Sequence, residues 1–96
     1  MKIVQAFNTK NELNRLTQAE QIKLITEITD KFGGVTLSEH LGGYRMNNGE
    51  NAIEYSYSFE IFGEYSAEVL AYFIELAKKN GQESIGVNGS VVYVTQ

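Results

Sequence analysis

The clearest pattern along the chain is a strict alternation of apolar and polar residues between positions 52 and 62. Successive side chains of a strand point to opposite faces of a sheet, so this period of two predicts a strand with one buried and one wet face. The buried set is Ile53, Tyr55, Tyr57, Phe59 and Ile61. The wet set is Glu54, Ser56, Ser58 and Glu60.

Two other segments have the spacing of amphipathic helices. The first starts at Thr17, which forms a capping box with Glu20, and the second starts at Ser66, a favourable N-cap residue. Glycines at 33–34 and 81 predict the two ends, because glycine accepts the left-handed conformation of a helix C-cap. The apolar stripes comprise Ile22, Ile25, Ile28 and Phe32 in the first helix, and Val69, Leu70, Phe73, Leu76 and Ala77 in the second.

Short apolar segments predict four further strands, at residues 2–7, 35–41, 84–87 and 90–95. The turns at 47–50 and 88–89 are rich in Asn and Gly, which tolerate positive φ, and they predict two antiparallel hairpins. Gly42 and Gly43 suggest a bulge or bend at the end of the second strand. The resulting order is β-α-β-β-α-β with one extra C-terminal strand. It predicts a two-layer α+β domain over residues 1–96, ferredoxin-like, with an antiparallel sheet and two helices on one face.

The amino-acid composition limits which catalytic and metal-binding groups the chain can form. The chain has no cysteine and one histidine, which excludes a disulfide framework, a thiolate nucleophile and multi-histidine metal sites. The N-terminal residues lack the apolar region of a signal peptide, so a soluble, cytoplasmic domain is expected. The net charge is −4, and the acids are concentrated: no Lys or Arg lies between Arg45 and Lys78. That acidic middle segment holds Glu50, Glu54, Glu60, Glu64, Glu68 and Glu75.

No catalytic group of residues is visible in the sequence. Glu39 and His40 are neighbours on a predicted strand, so their side chains point to opposite faces and do not form a pair. Glu54 and Glu60 share a face but lie about 20 Å apart at strand rise, too far for a carboxylate pair. The sequence therefore predicts no catalytic residue, no metal and no cofactor. Direct nucleic-acid binding is disfavoured as well, because the strand aromatics fall on the buried side.

A resemblance rests on four short motifs: Phe32-Gly33-Gly34-Val35-Thr36, Gly42-Gly43-Tyr44, Asn47-Asn48-Gly49-Glu50 and Gly81-Gln82-Glu83-Ser84. They are similar to a pattern in small uncharacterised proteins of bacteria and their phages. Size, acidity and the absence of a catalytic group also resemble phage-encoded inhibitors of bacterial defence, including anti-CRISPR proteins. That resemblance implies a non-enzymatic protein that binds the basic nucleic-acid-binding surface of an effector complex. The expected state of the chain is a monomer or a homodimer.

Two functions of different classes follow as hypotheses. In the first, the chain is an anti-CRISPR-like inhibitor whose carboxylates pair with basic side chains of the partner and block nucleic-acid recognition. The residues expected to bind the partner are Glu54, Glu60, Glu64, Tyr65, Glu68 and Tyr72. In the alternative, the chain is a small oligomeric domain that binds a small molecule, with His40 joined by Tyr44 and Arg45 of another copy, or that acts as an assembly subunit. For the wet sheet face three readings stay open: it faces solvent, lies under the last hairpin or pairs with a second copy.

Overall fold

A computed structural model describes residues 1–94, and their fold is α+β and ferredoxin-like with an extra strand. The strands are β1 (Lys2–Ala6), β2 (Thr36–Arg45), β3 (Asn51–Glu60), β4 (Ser84–Val87) and β5 (Ser90–Tyr93). The helices are α1 (Gln18–Phe32) and α2 (Ala67–Lys79), and a short 3-10 turn spans Glu12–Asn14. The strands form one antiparallel sheet in the order β2-β3-β1-β4-β5. The predicted strand at 90–95 is confirmed up to Tyr93, and residue 95 lies outside the described residues.

Both helices begin at the predicted caps. The Thr17 hydroxyl accepts from the Glu20 N–H at 3.1 Å, and the Glu20 carboxylate accepts from the Thr17 N–H at 2.8 Å. Ser66 Oγ likewise accepts from the Val69 N–H at the start of α2. Gly33 ends α1 with φ of 92°, a conformation that other residues adopt only with strain.

The core lies between the sheet and the two helices. Phe59 is at its centre, with its ring centroid 5.0 Å from that of Phe73 on α2 and 6.2 Å from that of Phe7 after β1. Such tilted and edge-on contacts are the favoured geometries of aromatic pairs. The buried apolar residues are Ile3, Phe7, Leu16, Ile28, Tyr57, Phe59, Ile61, Val69, Phe73, Ala77, Ile85, Val87 and Val94.

The β2–β3 hairpin differs from the prediction in two ways. The ladder runs without a break from Thr36 opposite Glu60 to Arg45 opposite Asn51, so the bulge expected at Gly42 and Gly43 is absent. Ile53 was predicted to be buried, yet 56% of its surface is exposed. Ile53 lies in the outer half of the hairpin, where Leu41 on the neighbouring strand shares its face and is likewise exposed.

None of the helices in residues 1–94 covers the opposite face of the sheet, and the polar residues predicted for the wet face lie there. His40 and Ser58 meet across β2 and β3, with 3.0 Å between Nε2 and Oγ. Glu39 points to the helix side, which confirms that Glu39 and His40 do not form a pair. No helix in the described residues is long and apolar enough to cross a membrane.

Candidate active site

A cleft opens on the uncovered face of the sheet, where two strands diverge. β1 pairs with β3 along its whole length, but it pairs with β4 only at Ile3 and Val4. Beyond these pairs, the end of β1 and the start of β4 have no register pairs with each other. The cleft at this place has a volume of about 540 Å³, within the usual size of a small-molecule site. Its lining residues are Val4, Gln5, Ala6, Tyr44, Glu54, Ser56, Gly81, Gln82, Glu83, Ser84, Ile85, Gly86 and Val91.

The centre of this cleft is formed by small residues. Val4, Ala6 and Gly86 come from the two central strands, and none has a large or charged side chain. A Cβ added at Gly86 would lie 3.3 Å from the Cβ of Val4, a contact tighter than normal packing allows. Glycine at this position therefore lets the two strands approach closely and keeps the centre of the cleft flat. A planar ring can lie flat against such a surface.

Polar groups enter the cleft from several elements. Glu54 and Ser56 come from β3, and Ser84 comes from the start of β4. Glu83 comes from the segment after α2, where its carbonyl accepts from the Val94 N–H at 2.8 Å. The side-chain donors and acceptors of these residues surround the flat centre, an arrangement that can fix the orientation of a polar ligand.

Glu54 has a fixed position. Its Oε2 accepts a hydrogen bond at 3.1 Å from the side-chain amide of Asn14, which lies at the end of the 3-10 turn. The Oδ1 atom of Asn14 accepts from the Thr9 N–H at 3.1 Å. The amide of Asn14 thus connects the segment after β1 to the carboxylate in the cleft.

Gln5 borders the cleft only along the backbone of β1, because its side chain points to the helix-covered face and is 2% exposed. Neither its side-chain nitrogen nor its side-chain oxygen has a hydrogen-bond partner among the described residues. Buried polar atoms are nearly always paired, because an unpaired one loses its hydration without compensation. The side-chain amide of Gln5 therefore faces the core with Ile3 and Tyr57 and offers no group to a ligand in the cleft.

The charged residues that line the cleft are all acidic. Two carboxylates, those of Glu54 and Glu83, line it, and no Lys, Arg or His is among its described lining residues. A concave surface of one sign concentrates ions of the opposite sign. Tyr44 adds an aromatic ring, whose face attracts cations. The cleft therefore favours a positively charged ligand over a neutral or anionic one.

A second polar cluster lies on the other face of the sheet and has a structural role. The buried hydroxyl of Tyr57 accepts from the Leu16 N–H at 2.8 Å and donates to Glu39 at 2.9 Å. Glu39 also accepts two hydrogen bonds from Arg15 and one from Gln21. The bonds from Arg15 and Tyr57 lower the pKa of Glu39, while burial raises the pKa of Tyr57 to about 12. These bonds attach the segment before α1 to the sheet.

A shallow groove of about 440 Å³ lies between α1 and α2 on the outer surface. Tyr72 contributes to it, with its ring packed edge-on against Phe32 and the ammonium group of Lys31 5.9 Å from its centroid. Burial and the nearby Glu27 carboxylate raise the pKa of Tyr72 to about 12. Glu27, Glu68 and Glu75 alternate in this groove with two lysines, so the groove has no dominant charge.

The structure does not bring the six predicted partner-binding residues together. Glu54 lies in the cleft, and Glu60 lies at the far end of β3. Glu68 and Tyr72 line the groove between the helices. Glu64 and Tyr65 belong to the exposed loop before α2. Of the six, only Glu54 lines the cleft.

Sequence reasoning missed two residues of the cleft region: Asn14 and Glu83. Asn14 and Glu83 lie outside the strands and helices that the pattern predicts, so no periodicity marks them. Within residues 1–94 no group of His, Asp and Glu side chains is arranged to hold a metal ion.

Comparisons with known proteins give one structural match. No protein family profile matches the chain, and no curated protein matches it in sequence. The fold matches that of a phage SAM (S-adenosylmethionine) lyase in complex with S-methyl-5′-thioadenosine. The match covers 99% of this chain and 87% of the lyase chain, with a TM-score of 0.60 and 22% sequence identity. At this identity, the comparison shows that the two chains share a fold.

This match overturns the first functional hypothesis. The prediction of a non-enzymatic, anti-CRISPR-like inhibitor was wrong, because the structure that matches the whole chain is that of an enzyme. The prediction that the chain is not an enzyme was wrong for the same reason. The sequence argument relied on the absence of a familiar catalytic group of residues, and a lyase that acts on SAM is an enzyme class which that argument did not consider.

Proposed function

We propose that this chain is a SAM-cleaving lyase and that its substrate binds in the cleft on the uncovered sheet face. The observation that carries the proposal is the match over 99% of the chain to a SAM lyase with S-methyl-5′-thioadenosine bound. The cleft supports it independently, because its size and its charge suit a cationic nucleoside. We place the activity in the cytoplasm of a bacterial host.

The chemistry of the two named compounds defines the bond that breaks. SAM carries a positive sulfonium, and S-methyl-5′-thioadenosine is the neutral thioether that remains when the amino-carboxypropyl group leaves. The carbon–sulfur bond to that group therefore breaks, and its electron pair stays on sulfur. The carbon that loses the sulfur forms a new bond to an oxygen of the group's own carboxylate, which closes a lactone and uses neither water nor a proton. A sulfonium is already an activated leaving group, so the departing sulfur needs no proton and no metal ion. This explains how an enzyme can lack the catalytic groups that sequence analysis seeks.

The cleft offers a fitting surface for each part of the substrate. The flat centre at Ala6 and Gly86 can accept the adenine ring, and the hydroxyls of Ser56 and Ser84 can bond to ribose or ring nitrogens. The carboxylates of Glu54 and Glu83 attract the sulfonium and the substrate ammonium group. The positive charge on sulfur decreases as the carbon–sulfur bond breaks. Carboxylates beside the sulfonium therefore bind the substrate more tightly than the transition state. We therefore assign the two glutamates to substrate recognition.

Conversion of SAM to S-methyl-5′-thioadenosine, followed by chromatography and mass spectrometry, tests the proposal. The rate without protein is subtracted, because SAM also decomposes slowly by itself. The wild-type protein should form the thioether together with homoserine lactone, or homoserine once the lactone has hydrolysed. Glu54→Gln combined with Glu83→Gln should raise KM by roughly tenfold or more, the scale of one lost charge-assisted contact. Glu60→Gln is the matched control, because Glu60 shares the strand and face of Glu54 but does not line the cleft.

Two results would contradict the proposal. If the folded wild-type protein forms no thioether above the protein-free rate, the chain is not a SAM lyase. If it does, but the double variant and Glu60→Gln have the same KM, the substrate binds elsewhere. The groove between α1 and α2 would then be the next site to test.

A further inference from the structure

The 3-10 turn before α1 has an unusual backbone. Leu13 and Asn14 both have left-handed conformations, with φ of 55° and 57°. Side chains crowd the backbone in this region, so two consecutive residues other than glycine rarely adopt it. Strained backbone of this kind persists where the surrounding structure holds it in place.

Asn14 uses both ends of its side-chain amide. Its oxygen accepts from the Thr9 N–H, and its nitrogen donates to Oε2 of Glu54, each at 3.1 Å. Because one end is bonded to the backbone, the amide cannot turn away from the carboxylate. The other carboxylate oxygen, Oε1 of Glu54, accepts no hydrogen bond from the described residues and stays available to a ligand.

The turn is also attached by other bonds. The Leu16 N–H is bonded to the Tyr57 hydroxyl, and the Arg15 carbonyl accepts from the side chain of Asn11 at 2.8 Å. Arg15 itself is paired with Glu39. These contacts hold the segment without help from Glu54, so the bond between Asn14 and Glu54 is not required to keep the segment on the sheet.

We propose that Asn14 is a positioning residue, which holds Glu54 so that its free oxygen recognises the positive charge at the substrate sulfur. This inference rests on the proposed function and adds a selectivity to it. A carboxylate fixed at the sulfur position prefers the sulfonium substrate to the neutral thioether product. The cleft then retains SAM and releases S-methyl-5′-thioadenosine, although the two share the same nucleoside.

Two ligands that differ only at sulfur provide the test. S-Methyl-5′-thioadenosine is neutral, and its S-methyl sulfonium derivative has one more methyl group and one positive charge. Neither has the amino-carboxypropyl group, so neither can be cleaved. Calorimetry should show that the wild-type protein prefers the sulfonium by roughly tenfold or more, as expected for one charge pair in a cleft.

Asn14→Gly is the informative variant, because glycine adopts a φ near 57° without strain and has no amide. It should reduce the preference for the sulfonium by about fivefold and leave the affinity for the neutral ligand unchanged. Leu13→Gly is the matched control, since it relieves the same kind of strain next to Asn14 without touching Glu54. It should keep the wild-type preference. Thermal unfolding of both variants checks that they are folded.

A double-mutant cycle separates positioning from a direct effect. Glu54→Gln should remove the preference, and adding Asn14→Gly to it should change nothing further if Asn14 acts through Glu54. Equal effects of Asn14→Gly and Leu13→Gly, or an unchanged preference in Asn14→Gly, would overturn the inference while the proposed function stands. A folded wild-type protein that binds neither ligand would overturn both.

Discussion

Replacing Tyr57 with Phe tests how the segment before α1 is held on the sheet. The change removes one oxygen and keeps the ring, so core packing is preserved. It leaves the Leu16 N–H without its acceptor at 2.8 Å, in a residue that is itself buried. Glu39 also loses a donor, but it keeps its bonds from Arg15 and Gln21.

The expected loss of stability follows from the unpaired N–H. A buried donor without a partner costs about 1–3 kcal/mol, so we expect Tyr57→Phe to lower the free energy of unfolding by about 2 kcal/mol. For a domain of this size that shifts the thermal midpoint by roughly 10 °C. Urea denaturation followed by circular dichroism measures it, and the slope of the transition should stay unchanged because the exposed surface is the same.

Tyr55→Phe is the control for this experiment. Tyr55 lies on the same strand and face, two residues earlier, but its hydroxyl has no hydrogen bond to the described residues. Its loss should change the free energy of unfolding by less than about 0.5 kcal/mol. If Tyr57→Phe were as stable as Tyr55→Phe, the assignment of the Tyr57 hydroxyl as an anchor would be refuted. Loosening this anchor should also weaken the preference for a cationic ligand, because Asn14 belongs to the same segment.

Three further changes have defined outcomes. Thr17→Ala removes the capping box of α1 and should destabilise the protein by about 1 kcal/mol in urea denaturation. Gly33→Ala forces alanine to a φ of 92° and should lower the free energy of unfolding by about 1 kcal/mol, whereas Gly34→Ala, in open space, should not lower it. The hydrogen bond from Arg15 is the main cause that lowers the pKa of Glu39, so the ionised carboxylate stabilises the folded protein. This contribution to the free energy of unfolding is complete above the pKa that Glu39 has in the unfolded chain, and it is lost as the pH falls through the pKa in the folded protein. Glu39→Gln should therefore be less sensitive to pH below about 4.5 than the wild type, as measured by thermal melts across acid pH.

The fold could be predicted because its signals are local. The alternation along β3, the capping box at Thr17 and the turn at Asn88 and Gly89 each depend on a few adjacent residues. Ile53 shows where such signals end. Ile53 points to the same side of β3 as the buried Phe59. Its burial, however, depends on whether a helix reaches that part of the sheet. An alternation with a period of two does not indicate how far the hairpin extends beyond the helices.

The cleft could not be predicted for a related reason. It exists because β1 and β4 separate after two residue pairs, and strand divergence has no sequence signal. Glu54 was singled out for its charge, but its partner Asn14 is 40 residues away along the chain. Glu83 looked like part of a turn motif, and only the sheet order brings it to the same cleft as Glu54. Chemistry that depends on such distant residues becomes visible only when the chain is folded.

The central position of β1 has a consequence for how this chain folds. β1 lies between β3 and β4, and Ile3 pairs both with Phe59 and with Val87, near the other end of the described chain. Only the hairpins β2–β3 and β4–β5 can form from neighbouring residues, and β1 must later dock between them across long loops. Chains dominated by such distant pairings fold slowly, on the millisecond-to-second scale. Until β1 docks, one edge of β3 has unpaired N–H and C=O groups that can bind another chain, so aggregation competes with folding at this step.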